Sequence, residues 1–425
     1  MKAANNFMQM NIDQIKESCH SVYNQKELID LAEMQPEKFE GVINLYGVLS
    51  NIHRTRRCIQ AEPRYGSRLV PEKVFIIDNL DISKNPNSIS ANLYITDKKG
   101  RLKNDFSEPD TDLKIKVRRS KNSNLKVIAF FGGSTIMGDG AQLPQFSIPA
   151  LVEKILNLEY GIDCICINYG VLAWTIQDSF NLLTAEALKE KIDMVVFYSG
   201  WNCIRDFTIA EALKKTNPFT GKFRIMDGSS NRQIGFNHLL YNHYNTLINL
   251  KLTLSLFANQ LASCGLRLLP IKSLQKYLIP VISKFFPVQQ DFTEYIINSV
   301  QKNTITELSS GAVSHYRHIN SMAKACSHKN ACAYLSYFQP LLYFGKKNLS
   351  AEEKIIFELF NHYGEYYQEF YSLIKDNFIA DEMIDLTGLF DSDFDQLYID
   401  MGHLNKMGNF IVANKIAQDI AKMHA

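Results

Sequence analysis

The stretch KVIAFFGGSTIMGDG, residues 126–140, passes from an unbroken apolar run into two glycines, a serine and a threonine. An apolar run of strand length that ends at glycine is what a strand buried on both faces requires. Downstream, Ile148, Leu151, Ile155 and Leu158 recur at helical spacing on one face. CICIN (164–168) then reads as a second buried strand and Ile176, Phe180, Leu183 and Ala187 as a second helical stripe. MVVFY (194–198) reads as a third strand, closing at Ser199 and Gly200. This alternation predicts an α/β fold: a doubly wound, mostly parallel sheet between helical layers, a three-layer α/β/α arrangement of flavodoxin-like type.

The alternation breaks after Gly200 and resumes with ACAYLSYF at 331–338, a helical stretch after Ser350, and the strand-like segments MIDL (383–386) and LYID (397–400). Residues 121–425 therefore read as one domain interrupted by a mostly helical insertion at about 205–330, which lacks βα alternation. Residues 1–120 read as an N-terminal addition packed on that core. Their helical beginning passes into loop-rich text such as EPRYGS (62–67) and SKNPNSIS (83–90).

The 425 residues are 46% hydrophobic and 21% charged, enough apolar surface for a sizeable core and far from disordered compositions. Forty-six Lys and Arg stand against 44 Asp and Glu, a formal net charge of +2. That balance lacks the basic field of a nucleic-acid binder, so no nucleic-acid partner is expected. The N-terminal residues hold no apolar run of signal-peptide length, and nothing reaches the roughly 18 apolar residues of a membrane span, so the expected location is cytoplasmic. Eight cysteines at 19, 58, 164, 166, 203, 264, 326 and 332 show no CxxC pairing and read as reduced thiols.

Four segments carry candidate chemistry. FFGGST puts Ser134 just beyond a buried strand, at the carboxyl edge where open α/β sheets bind ligands; by itself it is also an ordinary βα turn. INYGVLAWT (167–175) puts Gly170, and FYSGWN (197–202) puts Asn202, beyond the next two strands. A glycine amide and an asparagine side chain are uncharged donors suited to a developing oxyanion, although each alone is equally a turn residue. YIDMGHLNKMGN (398–409) sets Asp400 three residues before His403, ahead of a helix whose Phe410, Ala413, Ala417, Ile420 and Ala421 share a face. A carboxylate at that spacing can select the imidazole tautomer that accepts a serine proton.

Together, and in this order, the four segments resemble the SGNH (GDSL-like) hydrolase family, whose signature is a serine after the first strand, a glycine, an asparagine in GxND, and a DxxH pair. The resemblance covers about residues 120–204 and 331–425. It implies Ser134 as nucleophile, His403 as base and Asp400 as its orienting carboxylate. It further implies an oxyanion hole of the Ser134 amide, Gly170 and Asn202, with no cofactor and no metal. Gly133 stands where the GDSL-named members have aspartate, and Cys203 where GxND has aspartate. The GGST form is similar to a variant of bacterial members, as is FQPLL (338–342), which would bring Gln339 towards the site.

The implied activity is hydrolysis of an acyl ester, such as an acetyl ester of a carbohydrate or lipid, through an acyl-serine. Acyl transfer by the same triad and a catalytically silent binding module are the alternatives. Trp174 and Trp201 follow the glycine and asparagine motifs, where their rings would hold a sugar or acyl chain or else pack in the core. His315 and His318, in SHYRH, have helical spacing but no clear third ligand. Residues 250–286 contain no acid, with Lys251, Arg267, Lys272, Lys276 and Lys284 punctuating leucines. This segment reads as a lid, a peripheral membrane contact or a buried helical subdomain.

Overall fold

The computed structural model describes residues 10–44, 59–62, 66–80, 89–204, 206–207, 305–359, 364–377, 382–392 and 395–424. The apolar segment 250–286, and most of the expected insertion, lie outside the described residues. Strands β1 (Phe39–Asn44), β4 (Val74–Leu80) and β5 (Ile89–Ile95) form a small sheet, and β2 (Ile59–Glu62) pairs with β3 (Gly66–Leu69). The main sheet contains β6 (Lys126–Gly132), β7 (Cys164–Asn168), β8 (Met194–Ser199), β9 (Ala333–Phe338) and β10 (Ile384–Asp385). Its order is β10-β9-β8-β6-β7 and every pair is parallel.

Numbered within this sheet, the spatial order is 2-1-3-4-5, the doubly wound arrangement expected from the sequence. The chain leaves β6 in one direction for β7 and returns past it to β8, so a topological switch point lies between β6 and β8. There the loops after the two strands diverge and open a crevice at the carboxyl edge. The segments beginning at Ser134 and Trp201 flank that point.

Ten helices are described: α1 (Ile12–Ser18), α2 (Gln25–Ala32), α3 (Thr111–Lys121), α4 (Ser134–Met137), α5 (Ile148–Glu159), α6 (Ile176–Ala185), α7 (Ile305–Lys329), α8 (Ala351–Leu359), α9 (Gly364–Asn377) and α10 (Lys406–His424). Successive strand residues point to opposite faces, which sorts them into two helical layers. Val127, Ala129 and Phe131 belong to the cluster containing α6, α7 and α9. Ile128 and Phe130 belong to the cluster containing α5 and α10. Burial on both faces explains why β6 shows no polar alternation. The small sheet joins the second cluster through Val74, Ile76, Ala91, Leu93 and Ile95, and the Leu93 N–H donates to Gln142 O across 2.8 Å.

Two local readings change. Leu158, assigned to the buried stripe of α5, is about half exposed, and Val152 and Leu156 occupy the core beside Ile148, Leu151 and Ile155. LYID does not extend the sheet. Tyr398 pairs with Leu404 in an isolated bridge and the Ile399 N–H donates to His403 O, so the chain doubles back within seven residues. Asn405, accepting from the Gly408 N–H at 2.9 Å, then caps α10.

Candidate active site

The end of β6 needs glycine for steric reasons. A Cβ on Gly132 would lie 2.4 Å from Tyr198 O, and one on Gly133 would lie 2.6 Å from Asn202 Nδ2. The absent side chain at 133 thus admits the Asn202 amide beside the residue preceding Ser134. Ser134 opens the single turn α4, whose carbonyl accepts from the Gly138 and Asp139 N–H groups at 3.0 and 2.9 Å. Gly138 closes the turn at φ +108°, a left-handed conformation that side chains rarely adopt.

His403 reaches Ser134 across 269 residues of sequence: Ser134 Oγ and His403 Nε2 are 2.6 Å apart, and both residues are buried, at 6% and 9% exposure. On the other side of the ring, Nδ1 lies 2.6 Å from Asp400 Oδ2. The second carboxylate oxygen, Oδ1, accepts the Gly402 and His403 N–H groups at 2.9 and 2.7 Å. One carboxylate therefore orients the ring and fixes the loop carrying it. Gly402 permits this, since a Cβ there would come within 2.5 Å of the Trp201 ring.

A second carboxylate, Asp139, stands 3.5 Å from Nε2. Burial would lower the His403 pKa, but the charges of Asp400 and Asp139 and the Asp400 hydrogen bond outweigh it and raise the value to about 9. Burial likewise opposes ionisation of Asp400, but the His403 charge and its hydrogen bond, with the two loop amides, hold that carboxyl below the usual range. The two directions agree on a charged pair at neutral pH.

Asn202 lies in the helical turn after β8, with Nδ2 donating to Trp174 O at 3.1 Å. Cys203, the residue after Asn202, is fully buried, and its sulfur accepts the Ile176 N–H at 3.2 Å. Burial pushes this thiol up, so it stays protonated. Cys203 thereby ties the Asn202 turn to the first residue of α6, which Thr175 caps in a reciprocal pair with Asp178.

Gly170 occupies a tight corner: its N–H donates to Asn168 Oδ1 at 2.9 Å, and Asn168 Nδ2 donates to Ile136 O at 2.8 Å. A Cβ on Gly170 would lie 2.2 Å from Met137 N. These contacts give it a packing role against α4, with its amide engaged inside the turn. Gly170→Ala is expected to lower stability by about 1–3 kcal/mol, the range for overpacking against backbone. Denaturant unfolding measures this; an unchanged midpoint would show that the corner can relax.

Trp174 is 2% exposed and packs in the core, and its carbonyl accepts from Asn202 Nδ2. Trp201 is half-buried, edge-on to the His403 ring at 5.1 Å, and its Nε1 donates to the Tyr367 hydroxyl at 3.1 Å. Gln339 follows β9 at the same sheet edge, its N–H donating to Ser199 O at 3.0 Å. Its Cγ would lie 2.9 Å from a Cβ on Gly200. Among the described residues, its buried Nε2 has no hydrogen-bond partner. His315 packs edge-on against Phe207 at 4.6 Å. Among the described residues no group of three His, Cys, Asp or Glu could hold a metal, and no helix is long and apolar enough to cross a membrane.

Three residues at the site had no sequence signal. Asp139 lies between Gly138 and Gly140, in a segment whose sequence does not mark it as a partner of His403. Asn92, on β5, is brought in by the small sheet. Ala173 adopts φ +61° just before Trp174, and an alanine in a loop gives no hint of a left-handed backbone.

No known family model matches the chain, and no curated protein matches it. Solved structures give weak similarity. An α/β hydrolase enzyme from the metagenome of Lake Arreo in Spain is 11% identical, with 70% of this chain and 94% of that chain covered and a TM-score of 0.34. The acetyl xylan esterase AlAXEase is 13% identical, covering 69% and 99%, with a TM-score of 0.31. A lipase from the goat rumen metagenome is 11% identical, covering 70% and 97%, with a TM-score of 0.35. At these scores the architecture stands on the strand order and pairing of this chain itself.

Proposed function

We propose that this chain is a serine-dependent ester hydrolase of the SGNH type, removing a small acyl group such as acetyl from a carbohydrate or lipid. The observation that carries the reading is the unbroken line Ser134 Oγ, His403 Nε2, His403 Nδ1, Asp400 Oδ2, with both gaps at 2.6 Å, at the switch point of the sheet. Neutral His403 takes the Ser134 proton as Oγ attacks the ester carbonyl, and the imidazolium returns it to the departing alcohol. Water, activated by the same ring, then releases the acid from the acyl-serine. The near-complete burial of Ser134 and His403 favours a small acyl group.

Asn202 Nδ2 and the Ser134 N–H are the oxyanion donors in this proposal. An amide in the first turn of a helix lacks an intrahelical acceptor, and Asn202 reaches the same corner beside Gly133. Asn202→Ala should lower kcat by about 10² to 10³, the cost of one such donor, with a smaller change in KM. A kcat within twofold of wild type would remove Asn202 from this role.

The function itself is tested by exposure to a fluorophosphonate, with peptide mass analysis, alongside turnover of acetylated sugar and lipid esters. An adduct on Ser134 and release of free acid are expected. No adduct, under conditions that label a control serine hydrolase, would overturn the enzyme reading in favour of a silent binding module. Acyl groups recovered on an added sugar, with little free acid, would instead identify a transferase.

A further inference from the structure

The ring of His403 meets a carboxylate at each nitrogen. Asp400 Oδ2 is 2.6 Å from Nδ1, the usual arrangement for orienting a base, whereas Asp139 Oδ2 is 3.5 Å from Nε2, the atom that must accept the Ser134 proton. Asp139 is 3% exposed, and its placement is built in detail. Its N–H donates to Ser134 O at 2.9 Å, and its Oδ1 accepts from Asn92 Nδ2 at 3.1 Å. Asn92, fully buried on β5, accepts the Gly140 and Gln142 N–H groups through Oδ1, each at 3.0 Å. Gly140 takes φ +86°, and a Cβ there would lie 2.0 Å from Leu404 O, in the residue after His403. The small N-terminal sheet, the turn after Ser134 and the loop of His403 therefore lock together around this carboxylate.

We infer that Asp139, set by Asn92, is a positioning residue that holds the imidazolium of His403 from the Nε2 side, so that Ser134 is activated only once the ring has lost its proton. The inference rests on the reading of Ser134 as nucleophile and His403 as base. Among the described residues, the groups facing the ring are Asp400 from its own loop, Asp139 from the turn after α4, the Ser134 hydroxyl, and the uncharged Trp201 ring. A carboxylate beside Nε2 stabilises the protonated ring and repels the lone pair of the neutral one. The same charge stabilises the imidazolium formed when Ser134 attacks. It thus makes a stronger base that is free less often at neutral pH.

The test is the pH dependence of fluorophosphonate reaction at Ser134, which reads activation of the hydroxyl without knowledge of the natural ester. In the wild-type protein the rate should rise with pH through about 9, the range in which His403 deprotonates. Asp139→Asn keeps the Asn92 contact through its carbonyl oxygen and removes the charge. Its rise should move to lower pH by about one to two units, the usual effect of one adjacent charge. Reaction near pH 7 should then be faster than wild type. Asp139→Ala gives the same readout if the asparagine variant does not fold. The wild-type protein gives a further one, because the His403 ring proton followed by NMR should titrate well above its ordinary 6.5. Labelling with an unmoved rise in a folded Asp139 variant, or wild-type titration near 6.5, would overturn this inference and leave the hydrolase reading intact. No labelling of the wild-type protein at any pH would remove both.

Discussion

Ser134→Ala and His403→Ala should each lower ester turnover by about 10⁶, the loss seen when nucleophile or base is removed from a serine triad. The size follows from the two acting as one unit. Without Oγ there is no acyl-enzyme, and without Nε2 the hydroxyl keeps its proton at any pH the protein tolerates. The double variant should therefore fall little below either single one, whereas independent contributions would multiply. Ser134→Ala should stay folded. It removes one hydroxyl from a turn whose backbone bonds, from Gly138 and Asp139 to the Ser134 carbonyl, do not involve the side chain. His403→Ala leaves the Asp400 carboxylate without its 2.6 Å partner and should unfold at lower temperature. Turnover of purified variants, with circular dichroism melts, gives both numbers. A folded Ser134→Ala protein that kept wild-type turnover would end the assignment, because among the described residues no other hydroxyl meets His403 Nε2.

The sheet could be read from sequence because burial on both faces leaves an unmistakable mark. VIAFF and MVVFY are apolar throughout and CICIN is apolar up to Asn168, so that a glycine or a polar residue stands where each strand reaches the ligand edge. The Asp400 and His403 pairing was legible for a related reason, since the two lie three residues apart just before a capped helix and local geometry carries the constraint, whereas the meeting of His403 with Ser134, 269 residues away, was implied only by the family resemblance. The rest needed tertiary contacts. LYID has strand-like composition, yet forms half of a doubled loop because the Asp400 carboxylate gathers two amides of that loop. Trp174 and Trp201 occupy similar sequence contexts, yet one ring enters the core and the other borders His403. Gly170 signals a tight corner, but which way its amide points depends on Asn168. Asp139, in the turn after α4, and Asn92, on β5, stand 47 residues apart, and nothing local in either segment announces the other.

Asp400→Asn should be the most informative single change, lowering turnover by about 10⁴, as loss of the orienting carboxylate does in protease triads. Asp400 has two tasks that this substitution separates. The Oδ1 position, which receives the Gly402 and His403 N–H groups, can remain a carbonyl oxygen, so the loop should keep its shape. The Oδ2 position becomes an NH₂ group that donates towards Nδ1. The ring answers by presenting Nδ1 as an acceptor and moving its proton to Nε2. That proton then faces the Ser134 hydroxyl at 2.6 Å and the Asp139 carboxylate at 3.5 Å, and no lone pair remains to take the serine proton. Asp139 deepens the loss, because its charge favours a proton on Nε2. Asp400→Ala removes both tasks together. It should fall between Asn202→Ala and Ser134→Ala in turnover and also melt earlier, as two loop amides lose their acceptor. Turnover and melting temperature for both variants separate the effects. An Asp400→Asn protein within tenfold of wild-type turnover would mean that something other than this carboxylate sets the tautomer of His403.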